Sequence, residues 1–332
     1  MHPARLRRRT ASLLSALAGL LLVTACGSAS PDPQQPGDGT FPVTIQHSQG
    51  TTEIPKRPER VIALGYTDVD PLLALDVVPV AMRPWGDLKG PGSWAKDRLH
   101  GAQPYLFQTQ GEVDLEKVAS LEPDLIVAVN AAVDESLYKR LSALAPTIVR
   151  PDGYPDYGTP WQDTTRMIGK AVGKSEQAER LITDTQARID QVAAQHPEFA
   201  RATGAVALIN PQGGYWPYTR NDARGQFLAG LGFQLPPGVQ QLDDGKSFYV
   251  DLSPEKTSQL DSDVLVLIDQ KGDTQRLAQD PLFQRLDVAK RGDVITIPFM
   301  EDGIALAHNT VLSIPHSLDT IVPMLAEKLA DR

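Results

Sequence analysis

Short β-rich apolar runs punctuate the chain: "RVIAL", "VVPVAM", "DLIVAV" and "PTIV" in the first half, then "AVALIN", "VLVLID" and "DVITI" in the second. Helical segments separate them, an alternation that predicts parallel α/β architecture in each half. Ahead of the first run, "FPVTIQHSQGTTEIP" reads as a short hairpin. Between the halves, Ala178, Leu181, Ile182, Thr185, Ile189, Val192 and Ala193 fall at three- and four-residue spacing, with Ser175 as cap and Pro197 as stop. One helix of about twenty residues, about 30 Å long, is expected there. It either joins two lobes as a stiff strut or packs on one sheet. The expected organisation is an N-terminal α/β lobe over 41–174, a joining helix over 175–197 and a C-terminal α/β lobe over 198–332.

A second pattern supports two similar lobes. "EKVASLEPDLIVAV" at 116–129 returns as "EKTSQLDSDVLVLI" at 255–268, with Glu116/Glu255, Lys117/Lys256, Leu121/Leu260, Asp124/Asp263 and Val127/Val266 identical. Each copy reads as a capped helix leading into a strand: Asp114 caps the first, and Ser253 caps the second with Pro254 at its first position. A period of 139 residues is too long for a solenoid and suits a duplicated domain.

The N-terminus departs from this pattern. "RLRRR" is a positively charged start, "ASLLSALAGLLLV" is apolar but too short to span a bilayer, and "LVTAC" ends it. Residues 1–25 are read as a lipoprotein signal peptide. Cys26, the only cysteine, sits where the bacterial lipobox places its acylated residue. An ordinary signal peptide would leave a thiol with no intramolecular partner in an oxidising compartment. Acyl chains on Cys26 would anchor the protein to the outer face of the cell membrane. Residues 26–40, rich in Gly, Pro, Ser and Gln, then read as a disordered tether.

The formal charge of −9 includes four leader arginines, so the mature chain stands at −13. That balance excludes nucleic acid as an expected partner and favours neutral or cationic ligands over strongly anionic ones. Walker, GxGxxG and GxSxG signatures are absent, and the mature histidines show no HxH or HxxxH spacing. No catalytic residue, metal site or cofactor is therefore assigned, and binding is expected in place of catalysis.

In open α/β sheets, ligands bind beyond the C-terminal ends of the strands. Aromatic residues and arginines gather at those exits: Tyr66 after "VIAL", Arg83 and Trp85 after "VVPVAM", Phe299 after "VITI", and Tyr215, Trp216, Tyr218 and Arg220 in "GGYWPYTR". Phe248 and Tyr249 add to them from "SFYV". Rings and guanidinium groups suit a bulky, partly apolar ligand with exposed oxygens. The competing reading for each ring is closure of a core.

These elements together resemble the helical-backbone class of ABC-transporter substrate-binding proteins. The resemblance runs over nearly all of 41–330, through "TEIPKRPERVIALGYTDVDPLLALDVVPVA", "GEVDLEKVASLEPDLIVA", "LAGLGFQLP", "LSPEKTSQLDSDVLVL" and "DPLFQRLDVAKRGDVITI". "DYGTPWQDTTRMIGKAVGKSEQAERLI" is most similar to the iron-siderophore branch. The resemblance implies a monomer that binds a ferric siderophore in a cleft between two Rossmann-like lobes and delivers it to an ABC permease. It also implies that Glu116 and Glu255 dock on that permease. Haem or cobalamin binding on the same fold stays open, as does, more remotely, an exported enzyme on an α/β scaffold.

Overall fold

A computed structural model describes residues 39–330 apart from 271 and 273. The expectations for the leader and Cys26 lie outside the described residues. The chain enters through the antiparallel hairpin β1 (Val43–His47) and β2 (Gly50–Ile54), whose alternation buries Val43, Ile45 and Ile54 while Thr44 and Gln46 face water. Next come β3 (Val61–Ala63), α1 (Val69–Ala74), β4 (Ala81–Met82), β5 (Tyr105–Leu106), α2 (Leu115–Ser120), β6 (Leu125–Ala128), α3 (Glu135–Ser142), β7 (Thr147–Val149) and α4 (Trp161–Ala171).

Strands β3 to β7 form one all-parallel sheet in the order β5-β4-β3-β6-β7. Strands covered on both faces need apolar side chains at successive positions. Val61, Ala63, Leu125, Val127 and Ile148 point into one core, and Ile62, Ile126, Ala128 and Val149 into the other. The chain builds outward from β3 to β5, then returns to lay β6 on the opposite side of β3. The loops leaving β3 and β6 therefore part company and open a crevice at that point.

Helix α5 (Ser175–Gln195) leads into the second lobe. It runs 21 residues, as its periodicity predicts, but Lys174 occupies the cap position and makes no side-chain cap bond; Ser175 is already helical. The helix belongs to both lobes. Ala178 packs in the first core against Gly169 of α4, where an added methyl would come within 2.3 Å of the Ala178 side chain. Ile182 and Ile189 pack in the second core. The strut reading therefore holds.

The second lobe contains β8 (Gly204–Ile209), β9 (Tyr215–Pro217), α6 (Ala223–Gly230), α7 (Pro237–Leu242), β10 (Val264–Asp269), α8 (Thr274–Gln279), α9 (Asp287–Arg291), β11 (Val294–Pro298), α10 (Ile304–His308) and α11 (Ser313–Leu329). Its sheet runs β11-β10-β8-β9, parallel except for the antiparallel edge strand β9. Val206, Leu208, Val266 and Ile268 line one face, and Ala205, Ala207, Leu265 and Leu267 the other.

The repeated segment has a structural cause. Each copy feeds a strand that lies beside the first strand of its lobe's main sheet, β6 beside β3 and β10 beside β8. The shared aspartate ties the two together. Asp124 accepts from the Arg60 amide at 2.8 Å and from the Glu59 amide at 2.9 Å, while its own amide donates to the Arg60 carbonyl. Asp263 accepts from the Thr203 amide and hydroxyl at 2.8 Å each, and its amide donates to the Thr203 carbonyl. Asp114 caps α2 by accepting from the Lys117 amide at 2.9 Å. Its counterpart differs: Pro254–Leu260 is a 3-10 helix, and the Ser253 hydroxyl donates to Glu255 and makes no cap bond.

Candidate ligand-binding site

A cavity of about 290 Å³ lies between the lobes, at the crevice where the β3 and β6 loops diverge. Asp68 fixes that divergence. Its carboxylate, fully buried, accepts from the Val129 amide at 2.8 Å and the Asn130 amide at 3.0 Å, and so joins the loop after β3 to the loop after β6. Burial pushes its pKa up to about 6 even though the backbone amides oppose that shift. Gly65 makes the approach possible, since a methyl there would stand 2.2 Å from the Asp68 carboxylate. Tyr66 and Asn130, delivered by these two loops, both line the cavity.

One wall is a row of rings. Tyr157, Tyr66, Trp85 and His308 follow one another with centroids 5.8, 5.9 and 5.4 Å apart and planes within 24° of parallel. The first three come from the N-terminal lobe, and His308 ends α10 of the other. The Tyr66 hydroxyl donates to the Thr109 carbonyl at 2.7 Å, which holds its ring in place. Trp161, at the start of α4, and Phe248 add apolar surface.

The floor is polar. Asp70 accepts from Trp94 Nε1 at 2.8 Å and from the Thr310 hydroxyl at 2.5 Å, a buried link from one lobe to the other. His308 lies beside it, with Nδ1 at 3.7 Å from the Asp70 carboxylate, and neither ring nitrogen has a hydrogen-bond partner among the described residues. Across the cavity, Asp222 caps α6 by accepting from the Arg224 amide at 2.9 Å. The same carboxylate holds the Arg224 guanidinium through two bonds of 2.7 Å, and the guanidinium rests 3.6 Å from the centre of the Tyr218 ring.

Of the residues expected from sequence, Tyr66, Trp85 and Phe248 line this cavity. Phe299 comes close from the second lobe: its ring would stand 3.7 Å from a methyl on Gly86, the neighbour of Trp85. The others are placed elsewhere. Arg83 lies over the Tyr66 ring, but its guanidinium donates to the Gln108 and Gly111 carbonyls. "GGYWPYTR" is no open loop. Gly213 and Gly214, both at positive φ, reverse the chain so that Tyr215–Pro217 becomes β9. Tyr215 then packs on Phe283 in the core and donates to Asp280 at 3.0 Å; Tyr218 is buried beneath Arg224. Burial pushes the Tyr218 hydroxyl pKa up to about 12. Trp216 donates to Asp251 and leans on the exposed Tyr249, while Arg220 is exposed outside the cavity lining. Glu116 and Glu255 are both exposed in the first turns of their helices.

A periplasmic binding protein family model matches residues 61–300. The chain belongs to this family. A solved periplasmic solute-binding protein from Mycobacterium smegmatis is 32% identical to this binding protein, with a TM-score of 0.78 over 86% of this chain and 98% of the other. PiaA from Streptococcus pneumoniae in complex with ferrichrome is 26% identical, with a TM-score of 0.74 over 87% of this chain and 99% of the other. Among curated relatives, the iron(3+)-hydroxamate-binding protein YxeB of Bacillus subtilis is 25% identical over 93% of this chain and 94% of its own length. The Fe(3+) dicitrate-binding periplasmic protein FecB of Escherichia coli is 26% identical over 77% and 82%. The two-lobe architecture with a long joining helix is thus that of this binding protein's relatives as well as its own.

Proposed function

We propose that this protein captures a ferric siderophore between its lobes and presents it to an ABC permease for iron uptake. The observation that carries this reading is the interlobe cavity: aromatic on one wall, hydrogen-bonding on the other, and built from both lobes. Rings cover apolar ligand surface while amide and hydroxyl groups meet its oxygens. The siderophore's own oxygens fill the iron's coordination shell, so the protein has no need to ligate the metal. The relatives that bind ferric dicitrate, ferric hydroxamates and ferrichrome support the same class.

In this reading the lobes are 41–174 and 198–332 with 175–197 as their joint, and Cys26 carries the lipid that holds a monomer at the outer face of the membrane. Glu116 and Glu255 are the permease contacts. Tyr66, Trp85 and Phe248 are the first ligand contacts of those expected from sequence, with Tyr157, Trp161, Asn130 and Arg224 beside them.

The test is a fluorescence titration of the soluble form starting at Gly27. Trp85 and Trp161 line the cavity, so a bound iron chelate should quench them saturably, and Trp85→Phe should remove a large part of the signal. Haem or cobalamin belong in the same panel. Clear binding of either one, with none of any ferric siderophore, would overturn the iron reading.

A further inference from the structure

The cavity's charges are already spent on one another. Among its described lining residues the one guanidinium is Arg224, and Asp222 holds it with two bonds of 2.7 Å; the two side chains are 12% and 8% exposed. Geometry of this kind, bidentate and shielded from water, is the strong form of the ion pair. Drawing Arg224 away to a ligand would leave a buried carboxylate unpaired, at a severe cost. Nearby charge adds to this. Asp68 is bonded to the Asn130 amide and Asp70 to the Thr310 hydroxyl, so two more buried carboxylates stand directly behind lining residues. Arg83, which lies over the Tyr66 ring, donates to the Gln108 and Gly111 carbonyls. His308 faces Asp70.

From this arrangement we infer that the cavity selects an uncharged iron chelate of the trihydroxamate type and rejects anionic catecholate and carboxylate chelates, with Asp222 as the residue that sets this preference by neutralising Arg224. The inference rests on the siderophore reading and deepens it. Three singly charged hydroxamates cancel the charge of Fe3+, whereas three doubly charged catecholates leave an excess of negative charge that no free cation among the cavity's described lining residues meets. An uncharged complex instead offers carbonyl and amide groups, and Asn130, Asn221, Gln226 and the lining threonines supply neutral donors and acceptors for them.

Three synthetic ferric complexes decide the matter: a neutral trihydroxamate, a tris-catecholate and a citrate-type carboxylate, each titrated by fluorescence against the wild-type soluble form. The neutral complex should bind at least roughly a hundredfold more tightly than either anion, the discrimination expected when a buried charge lacks a partner. Its affinity should change little between low and high salt, since no ligand charge is there to be screened. Asn keeps the cap and the shape at position 222 while removing the charge. Asp222→Asn should therefore narrow the neutral-to-anionic ratio by roughly tenfold, the scale of a close charge coupling.

Equal or tighter binding of an anion by the wild type would overturn the inference and leave the siderophore reading intact. An unchanged ratio in folded Asp222→Asn would remove Asp222 from the role assigned to it. Failure of all three complexes to bind would instead sink the siderophore reading itself. Should Asp222→Asn not fold, the wild-type ratio and its salt dependence still decide between the outcomes.

Discussion

At the scale of single residues, the most consequential side chain lies buried behind the cavity lining. Asp68 joins the two loops that form the crevice, and burial raises its pKa to about 6 against an ordinary value of 3.8. The folded state therefore binds this proton more tightly than the unfolded chain does. Below the ordinary value both states are protonated and the contribution is fully present; as pH rises through about 6 the folded protein must ionise a buried group, and stability is lost. A shift of this size corresponds to of the order of 3 kcal/mol. Exposed carboxylates such as Asp244, pulled down to about 2 by the Ser247 and Lys246 amides, move the opposite way, so the whole-protein curve mixes the two. Subtracting the curve of Asp68→Asn isolates the effect. Denaturant unfolding of both proteins from pH 4 to 7 should show the wild type losing ground steadily relative to the variant; parallel curves would mean that Asp68 titrates normally.

At the scale of elements, the repeated segment rests on a clasp between a strand and its neighbour. Asp124 and Asp263 each accept two or more bonds from the chain that enters the adjacent strand, and each returns a backbone bond. Removing a carboxylate that satisfies backbone amides in this way costs about 1.5–3 kcal/mol. Asp124→Ala and Asp263→Ala should each destabilise by that amount in urea unfolding, and a loss of under half a kcal/mol in either would show the clasp to be ornamental. The clasp also explains what could be read in the sequence. An aspartate recurring one residue ahead of two apolar runs is visible without a structure, and so are runs buried on both faces and the stripe along α5. β5 and β9 were hidden, because two- and three-residue edge strands carry too few positions to show a period. In β9 the aromatics that suggested a binding loop divide between the two faces of a strand, Tyr215 in the core and Trp216 against Asp251 and Tyr249, a pattern exposed only once the Gly213-Gly214 reversal is known. The site divided along the same line. Its N-terminal half follows the rule that ligands gather beyond strand ends, which finds Tyr66 and Trp85. Much of its C-terminal half comes from a helix start at Arg224 and a helix end at His308, whose aim depends on how α6 and α10 pack. A signal was present in "TRNDARG", where Asp222 is a plain helix cap with an arginine two residues on.

At the scale of the whole molecule, the two lobes behave as one frame. α5 shares its side chains between both cores, Leu312 packs against both, and the Asp70–Thr310 bond crosses below the cavity. A frame tied in three places resists bending, so only a modest closure is expected on binding, and in the reading proposed above the permease meets a paired surface of the two lobes. The clasped repeats provide such a surface: each presents an exposed glutamate, Glu116 and Glu255, in the first turn of the helix that feeds the strand. The macrodipole alone accounts for an acid at each position, contributing about 0.3–1 kcal/mol to its helix. That contribution is a property of stability, whereas docking is a property of transport, and the two separate cleanly in experiment. Glu116→Ala with Glu255→Ala should lower the unfolding free energy slightly, leave the ligand titration as it was, and abolish iron uptake by cells that depend on this protein. Each single variant should retain part of the uptake, because one lobe still holds the permease. Full uptake by the double variant would assign both glutamates to their helices alone and move the docking surface elsewhere on the lobes.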